Sequence, residues 1–184
     1  MKTERLRIDP LAARHAQAFL AFFERNRAHL EPWEPKRDDS FYTLAFHIGD
    51  IAKSEIAAGR GNEARFVAFE HDRDEIVASV NLRNIRRGVI HAATIGYAVD
   101  GSREGLGYAT EAVGAVLRFA METLNLHRIE TSYQPGNVRS GRVLEKLGFA
   151  VEGRAQKYLL IDGAWRDGIL VALINDDWRP NDPS

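Results

Sequence analysis

Apolar residues change their period several times along this chain, and each change marks an element. Leu6-Arg7-Ile8 alternates as a short strand that Pro10 is expected to end. Leu11 to Asn26 has helical spacing, with Ala12, His15, Ala16, Phe19 and Phe23 near one face. Glu31-Pro32-Trp33-Glu34-Pro35 cannot be a regular helix, because its two prolines stiffen it as a loop. Asp39 or Ser40 is expected to cap a second helix that runs to about Ala58, and Gly59-Arg60-Gly61 stops it.

Three strand-like runs follow: Arg65 to Glu70, Ile76 to Leu82, and Val89 to Val99. Polar turns at His71-Asp72-Arg73-Asp74 and Arg86-Arg87-Gly88 join them. Such close spacing predicts an antiparallel meander. From Ala109 to Leu124 the period is helical, with Ala112, Val113, Val116, Leu117, Ala120 and Leu124 as the core face. His127 to Ser132 reads as a strand. Pro135-Gly136-Asn137 leads into a short helix that ends at Lys146, with Gly148 beyond its C-terminus. Phe149 to Leu160 and Ala164 to Ile174 form a hairpin about Asp162-Gly163. The tail from Asp177 to Ser184 is expected to be poorly ordered beyond Trp178.

Composition narrows the function classes. A chain of 184 residues is read as one domain with a substantial core. Its net charge of −1 gives no global field for nucleic acid or an anionic membrane. The absence of cysteine excludes disulfides, a thiol nucleophile and thiolate metal sites, and agrees with the cytoplasm. Met1-Lys2-Thr3-Glu4-Arg5 lacks the apolar core of a signal peptide, and Ile169 to Ile174 is too short to span a bilayer. His15, His47, His71, His91 and His127 are scattered without metal-ligand spacing, so no metal is expected.

The chemical signal lies at Glu104-Gly105-Leu106-Gly107-Tyr108-Ala109, between the strand-like run from Ala93 to Val99 and the helix that follows. Strand, glycine turn and helix form an anion-binding device. Glycine lets backbone approach a ligand, and the first helical turn offers unpaired N–H groups and the positive end of the dipole. A phosphate-bearing cofactor is therefore expected. A dinucleotide fold would use Gly105 and Gly107, with Glu130 as the ribose acid, but its third glycine position holds Thr110. The turn also follows a meander rather than opening a β-α alternation. No Gly-Lys-Ser/Thr is present for a P-loop.

The ordered series of motifs resembles the GNAT superfamily of N-acetyltransferases over about residues 3–179, and most closely its RimJ/RimL-type branch. The resemblance rests on His29 to Pro35, Ile95-Gly96-Tyr97, the glycine turn, His127-Arg128-Ile129, Asn137-Val138-Arg139-Ser140, Leu147-Gly148-Phe149 and Tyr158 to Asp167. The superfamily's signature is Gln or Arg, two residues, Gly, one residue, then Gly or Ala. Here Gly107 and Ala109 match, and Glu104 departs from the pattern. The resemblance implies an α/β fold with a mixed, largely antiparallel sheet of about seven strands that splays between the fourth and fifth. It implies acetyl-CoA as co-substrate and direct acetyl transfer to an amine. The expected acceptor is a protein N-terminal α-amine, with a small-molecule amine or antibiotic as the alternative and a non-catalytic acyl-CoA-binding module as a further one. A monomer or homodimer is expected.

By the same resemblance, Ala98 and Val99 bind the pantetheine arm and a main-chain N–H there polarises the thioester. Arg103, Glu104, Gly105, Leu106, Gly107, Tyr108 and Ala109 form the pyrophosphate turn. Glu104 should point away from the phosphates, with Arg103 supplying compensating charge. Asn137 contacts the pantetheine chain; its alternative role is a helix cap. The tyrosine that many relatives place seven residues after that asparagine is Leu144 here. Ser140 stands where RimL-type enzymes hold a serine near the sulfur, so it is the expected catalytic residue. Trp33, Glu34 and Tyr158 are the expected substrate-binding residues. Glu31, Glu34, Glu130 and His29 remain open as base candidates. A terminal α-amine, with a pKa of about 7.7–8.0, is roughly a quarter neutral at pH 7.4, whereas a lysine amine is only about 0.1% neutral. A chain with no evident base therefore suits an α-amine.

Overall fold

The computed structural model describes residues 1–180. Among them, seven strands form one sheet in the order β1-β2-β3-β4-β5-β7-β6. The strands are β1 (Leu6–Pro10), β2 (Ala64–Glu70), β3 (Ile76–Arg86), β4 (Ala92–Val99), β5 (Arg128–Tyr133), β6 (Ala150–Ile161) and β7 (Ala164–Ile174). The helices are α1 (Ala16–Arg25), α2 (Arg27–Leu30), α3 (Leu44–Gly59), α4 (Tyr108–Arg118) and α5 (Val138–Lys146). β1 to β4 form the expected antiparallel meander.

Strand alternation divides the core between the two faces of the sheet. Along β2, Phe66 and Ala68 face α4 and α5 and join Leu6, Ile8, Val80, Leu82, Ile95, Val113, Val116 and Leu144. Val67 and Phe69 face the other way, toward Phe19, Phe22, Phe23 and Ile51 of α1 and α3.

β4 and β5 are parallel and pair only over Ala92–Thr94 and Arg128–Glu130. Beyond those three pairs they diverge, which opens the expected splay. A ladder of opposite charges lies across the closed end. Glu130 pairs with Arg86 of β3 and accepts from Arg128 Nε at 3.1 Å, while Arg128 Nη1 donates to Glu152 of β6 at 2.7 Å.

Pro10 does end β1, as its last residue, opposite Phe66. An edge strand tolerates it because the missing N–H faces no neighbour. Several other boundaries differ from the sequence reading. The first helix begins at Ala16, after a short turn at Ala13–His15, rather than at Leu11; it ends at Asn26 as expected, where the side chain turns back to Phe22 O and Asp100. Neither Asp39 nor Ser40 caps the second helix. Thr43 does, accepting from Phe46 N at 3.2 Å, while Asp38 caps a short turn before it. β4 starts at Ala92 rather than Val89, which is fully exposed. Past Thr123 the chain reaches Trp178, whose indole lies against His91 and His127 and donates to Asn125 O at 3.0 Å. Arg179 O accepts from Asn125 Nδ2, so the tail is held one residue past Trp178. The part of the tail reading that concerns residues 181–184 lies outside the described residues.

His47 of α3 is fully buried among Phe19, Phe23, Phe41 and Phe46. Burial depresses its pKa below the ordinary 6.5. The unfolded chain therefore takes up a proton as pH falls through 6.5, and the folded one resists. Stability is fully present above that pH and is lost below it, by up to about 1.4 kcal/mol per pH unit. His15 is buried and shifted the same way. His47→Leu should unfold with a shallower pH slope between about 6.5 and 5 in urea titrations. A slope equal to that of the native chain would exclude His47 as a source of acid lability.

Candidate active site

The glycine turn connects the open end of β4 to α4. Gly105 and Gly107 have φ of +72° and +84°, the left-handed region that glycine enters without a Cβ clash. Open space surrounds the Cα of Gly105, where an added Cβ would meet nothing within 4 Å. Gly107 is the residue before α4, so the unpaired N–H groups of that helix emerge beside it. Such a cradle fits a pyrophosphate, and the turn's own side chains point elsewhere.

Tyr108 donates to Glu70 Oε1 at 2.7 Å, and its ring lies under the Arg5 guanidinium. Arg5 also donates to Leu106 O at 2.7 Å and pairs with Glu111, which is fixed by Thr3 at 2.6 Å. Arg103 pairs with Glu70 at 3.3 Å. Glu104 is instead held by Arg139, in the first turn of α5, and its other oxygen lies 3.5 Å from His29 Nε2. The charge that compensates Glu104 is thus Arg139 rather than Arg103. Sequence distance hid this partner, which comes from the opposite side of the splay.

The turn is anchored from behind by Asp100, 3% exposed. It accepts from Arg25 Nε at 2.7 Å, Asn26 Nδ2 at 3.2 Å, and the Ser102 hydroxyl and N–H at 2.6 and 2.9 Å. Asn26 Oδ1 accepts from Gly101 N at 2.8 Å. Burial alone would push the Asp100 carboxyl up; the bonds from Ser102, Arg25 and Asn26 outweigh it and hold the pKa at about 2. Sequence reasoning missed this brace. Asp100-Gly101-Ser102 was legible as a turn, but its partners lie about 75 residues away, at the end of α1.

The β5 side of the splay carries α5. Asn137 caps it, accepting from Ser140 N at 3.1 Å, so the capping role is realised. Ser140 Oγ lies 2.8 Å from the hydroxyl of Tyr97 on β4. Leu144, in the place of the relatives' tyrosine, is buried in the core. Ala98 and Val99 lie on β4 beyond its pairing with β5, opposite Ser79 and Ala78 of β3. The Glu31–Pro35 loop reaches across the β5 side, where Pro32 O accepts from Gln134 Nε2 at 3.1 Å and Glu34 O from Asp162 N at 3.0 Å. Trp33 is 37% exposed on this loop. Tyr158 is 53% exposed on a bulge of β6, with its ring against Gly168. Among the base candidates, Glu130 is taken up by the ion ladder at the closed end, and Glu31 is exposed. Burial raises the pKa of Glu34, and Arg37 at 3.3 Å only partly offsets it. Among the described residues no His, Asp or Glu cluster could hold a metal ion, and no helix is long and apolar enough to cross a membrane.

A split parallel pair beside a glycine-turned helix N-terminus is the architecture of an acyl-coenzyme A-dependent N-acetyltransferase. The family described as "Acetyltransferase (GNAT) domain" matches residues 5–150, and the chain belongs to that family. It is 37% identical over 180 residues to the [Ribosomal protein uS5]-alanine N-acetyltransferase of Escherichia coli, covering 98% of this chain and 93% of that one. The crystal structure of a ribosomal-protein-S5-alanine acetyltransferase from Vibrio fischeri superposes with a TM-score of 0.94 at 36% identity, covering 98% of each chain. Mycobacterium smegmatis RimJ in complex with CoA-disulfide superposes with a TM-score of 0.88 at 32% identity, covering 96% of this chain and 85% of that one.

Asp100→Asn should cost about 2 kcal/mol at neutral pH, the free energy linked to a carboxyl shifted from 3.8 to about 2. Because the folded pKa is the lower one, the native contribution is present above pH 3.8 and lost as pH falls toward 2. The variant should unfold in urea with less acid dependence in that window. Equal stability of the two proteins at pH 7 would show that Arg25 and Asn26 do not depend on the charge.

Proposed function

We propose that the protein transfers the acetyl group of acetyl-CoA to the N-terminal α-amine of a protein of ribosomal type. The likeness to alanine N-acetyltransferases of ribosomal proteins, over almost the whole of both chains, carries this reading. Such an acceptor places the reaction in the cytoplasm. The fold supplies a groove for the donor, and the chain offers no strong base, which suits an amine that is partly neutral near pH 7.

In this reading the turn from Arg103 to Ala109 receives the pyrophosphate. The N–H groups at the start of α4 and the open Cα of Gly105 make the approach. Glu104 is neutralised by Arg139 and does not oppose the phosphates. The pantetheine arm enters the splay along Ala98 and Val99, where a main-chain N–H polarises the thioester carbonyl. Asn137 keeps its capping bond through Oδ1 and offers its amide NH₂ to the arm. The amine arrives under the Glu31–Pro35 loop, with Trp33 and Tyr158 as walls. Glu34 attracts the ammonium form, and its raised pKa makes it a better proton acceptor than a solvated carboxylate. The amine nitrogen bonds to the carbonyl carbon, the C–S bond breaks with its electron pair on sulfur, and Ser140 hydrogen-bonds the departing thiolate.

Two tests follow. Gly107→Asn and Gly107→Asp share the strain of a side chain at positive φ, which Asn and Asp tolerate better than most residues. They differ in charge. Titration calorimetry with CoA should show binding by the Asp variant weaker than by the Asn variant by about tenfold or more. Equal affinities would put the pyrophosphate elsewhere.

Steady-state assays with free-thiol detection should show turnover on alanine- or serine-initiated peptides and little on lysine peptides or small amines. Ser140→Ala should lower kcat by about 10- to 100-fold while leaving the Kd for acetyl-CoA nearly unchanged. Acetylation confined to small amines would overturn the acceptor assignment. Native kcat in Ser140→Ala would return the serine to a structural role.

A further inference from the structure

Tyr97 stands on β4 three residues past its last pair with β5, and Ser140 stands in the first turn of α5, after β5. Their contact therefore crosses the splay. The phenol oxygen is 2.8 Å from Ser140 Oγ and 3.2 Å from Ser140 O. A phenol O–H has one hydrogen to give, and the shorter contact is to Oγ. Phenol is also the stronger acid of the two hydroxyls, hence the better donor, and the serine oxygen is the better acceptor. α5 is fixed from the β5 side as well. The Tyr133 ring lies so close to Gly141 that a Cβ there would be 3.0 Å from it. The first turn of α5 is thus held between two tyrosines, one from each side of the split.

We propose that Tyr97 is a positioning residue for the acyl transfer: its O–H donates to Ser140 Oγ and leaves the serine's own hydrogen to face the sulfur of the thioester. This rests on the reading of Ser140 given above. Without that donor nothing fixes the rotation of the serine hydroxyl, and the sulfur keeps its hydrogen only part of the time. With the donor in place, the hydroxyl has one direction left for its proton.

The bond also responds to the reaction. As the C–S bond breaks and charge gathers on sulfur, the Ser140 O–H is polarised and Oγ becomes a stronger acceptor. The Tyr97 bond then strengthens with it. Over the whole step the nitrogen forms its bond to carbon, the sulfur leaves with its electron pair, and the proton lost by nitrogen completes the thiol. Tyr97 begins and ends protonated. Burial pushes its phenol up to about 12, so it remains a donor throughout the working range and is a poor source of a full proton. Its part is orientation, not acid catalysis.

The test compares native protein, Tyr97→Phe, Ser140→Ala and the double variant, each checked by circular dichroism. Tyr97→Phe keeps the ring and removes only the hydroxyl. On the best N-terminal peptide it should lower kcat by about 3- to 10-fold, with KM for acetyl-CoA and peptide within about twofold. In the Ser140→Ala background it should have no further effect. A second measurement needs no acceptor. The thiol pKa of bound coenzyme A, followed by the ultraviolet absorbance of the thiolate, should rise in Tyr97→Phe and not rise again when that change is added to Ser140→Ala. Native kcat and thiol pKa in Tyr97→Phe, or losses that multiply with those of Ser140→Ala, would overturn the proposal. A native protein inactive toward every amine would sink the proposed function, and the thiol series would still decide Tyr97.

Discussion

Parallel strands β4 and β5 share only three residue pairs, and the placement of every candidate site group depends on where that pairing stops. A parallel pair that continued to Val99 and Tyr133 would leave no opening in the sheet. Here Ala92–Thr94 and Arg128–Glu130 close one end, and the ladder Arg86–Glu130–Arg128–Glu152 spans the same end from β3 to β6. Each exchange is partly solvated and individually worth little. As a connected set the ladder spans the narrowest junction of the sheet. Above it the strands part, and Tyr97 and Ser140 meet across the opening.

Two regions far apart in sequence hold the glycine turn in place. The Asp100 brace ties the end of β4 to the end of α1, and Arg5 with Glu111 ties the start of the chain to α4. Both carboxylates are lowered in pKa by their bonds despite the opposing effect of burial. A glycine turn needs such support. Glycine permits the left-handed conformations at Gly105 and Gly107 but does not select them, since its backbone loses more entropy on ordering than any other residue. Neighbouring bonds do the selecting. The Glu31–Pro35 loop is held by Gln134 on Pro32, Asp162 on Glu34 and Arg37 on Glu34.

Glu104 shows how a departure from a family pattern is accommodated. A carboxylate at the mouth of an anion site would be unfavourable if it faced the ligand. Arg139 draws it across the splay to α5, and His29 flanks it. The pair links the two sides of the opening above the ladder that closes it below. The donor turn and the helix that carries Ser140 are thereby coupled at the surface as well as through Tyr97.

By itself the sequence determined the order of elements, the core faces and the chemical theme. The strand-like run of Arg65 to Glu70 and the helical spacing of Ala112 to Ala120 are local properties, and each appears in the structure as read. The glycine turn and the cap at Asn137 were legible because backbone conformation and capping depend on near neighbours, whereas Ser140 was singled out only by the resemblance. The end of the first helix at Asn26 was legible too, but its contact with Asp100 and Gly101 was not. The cap at Thr43 was misplaced by a few residues, since Asp39 and Ser40 offered an equally good local signal but belong to a shorter turn capped by Asp38. Tyr97 read only as the end of a strand, and Glu104 only as an unfavourable charge. Their partners, Ser140 and Arg139, lie 43 and 35 residues away on another element. Which groups meet across the splay is fixed by where two parallel strands separate, and no local pattern records that distance.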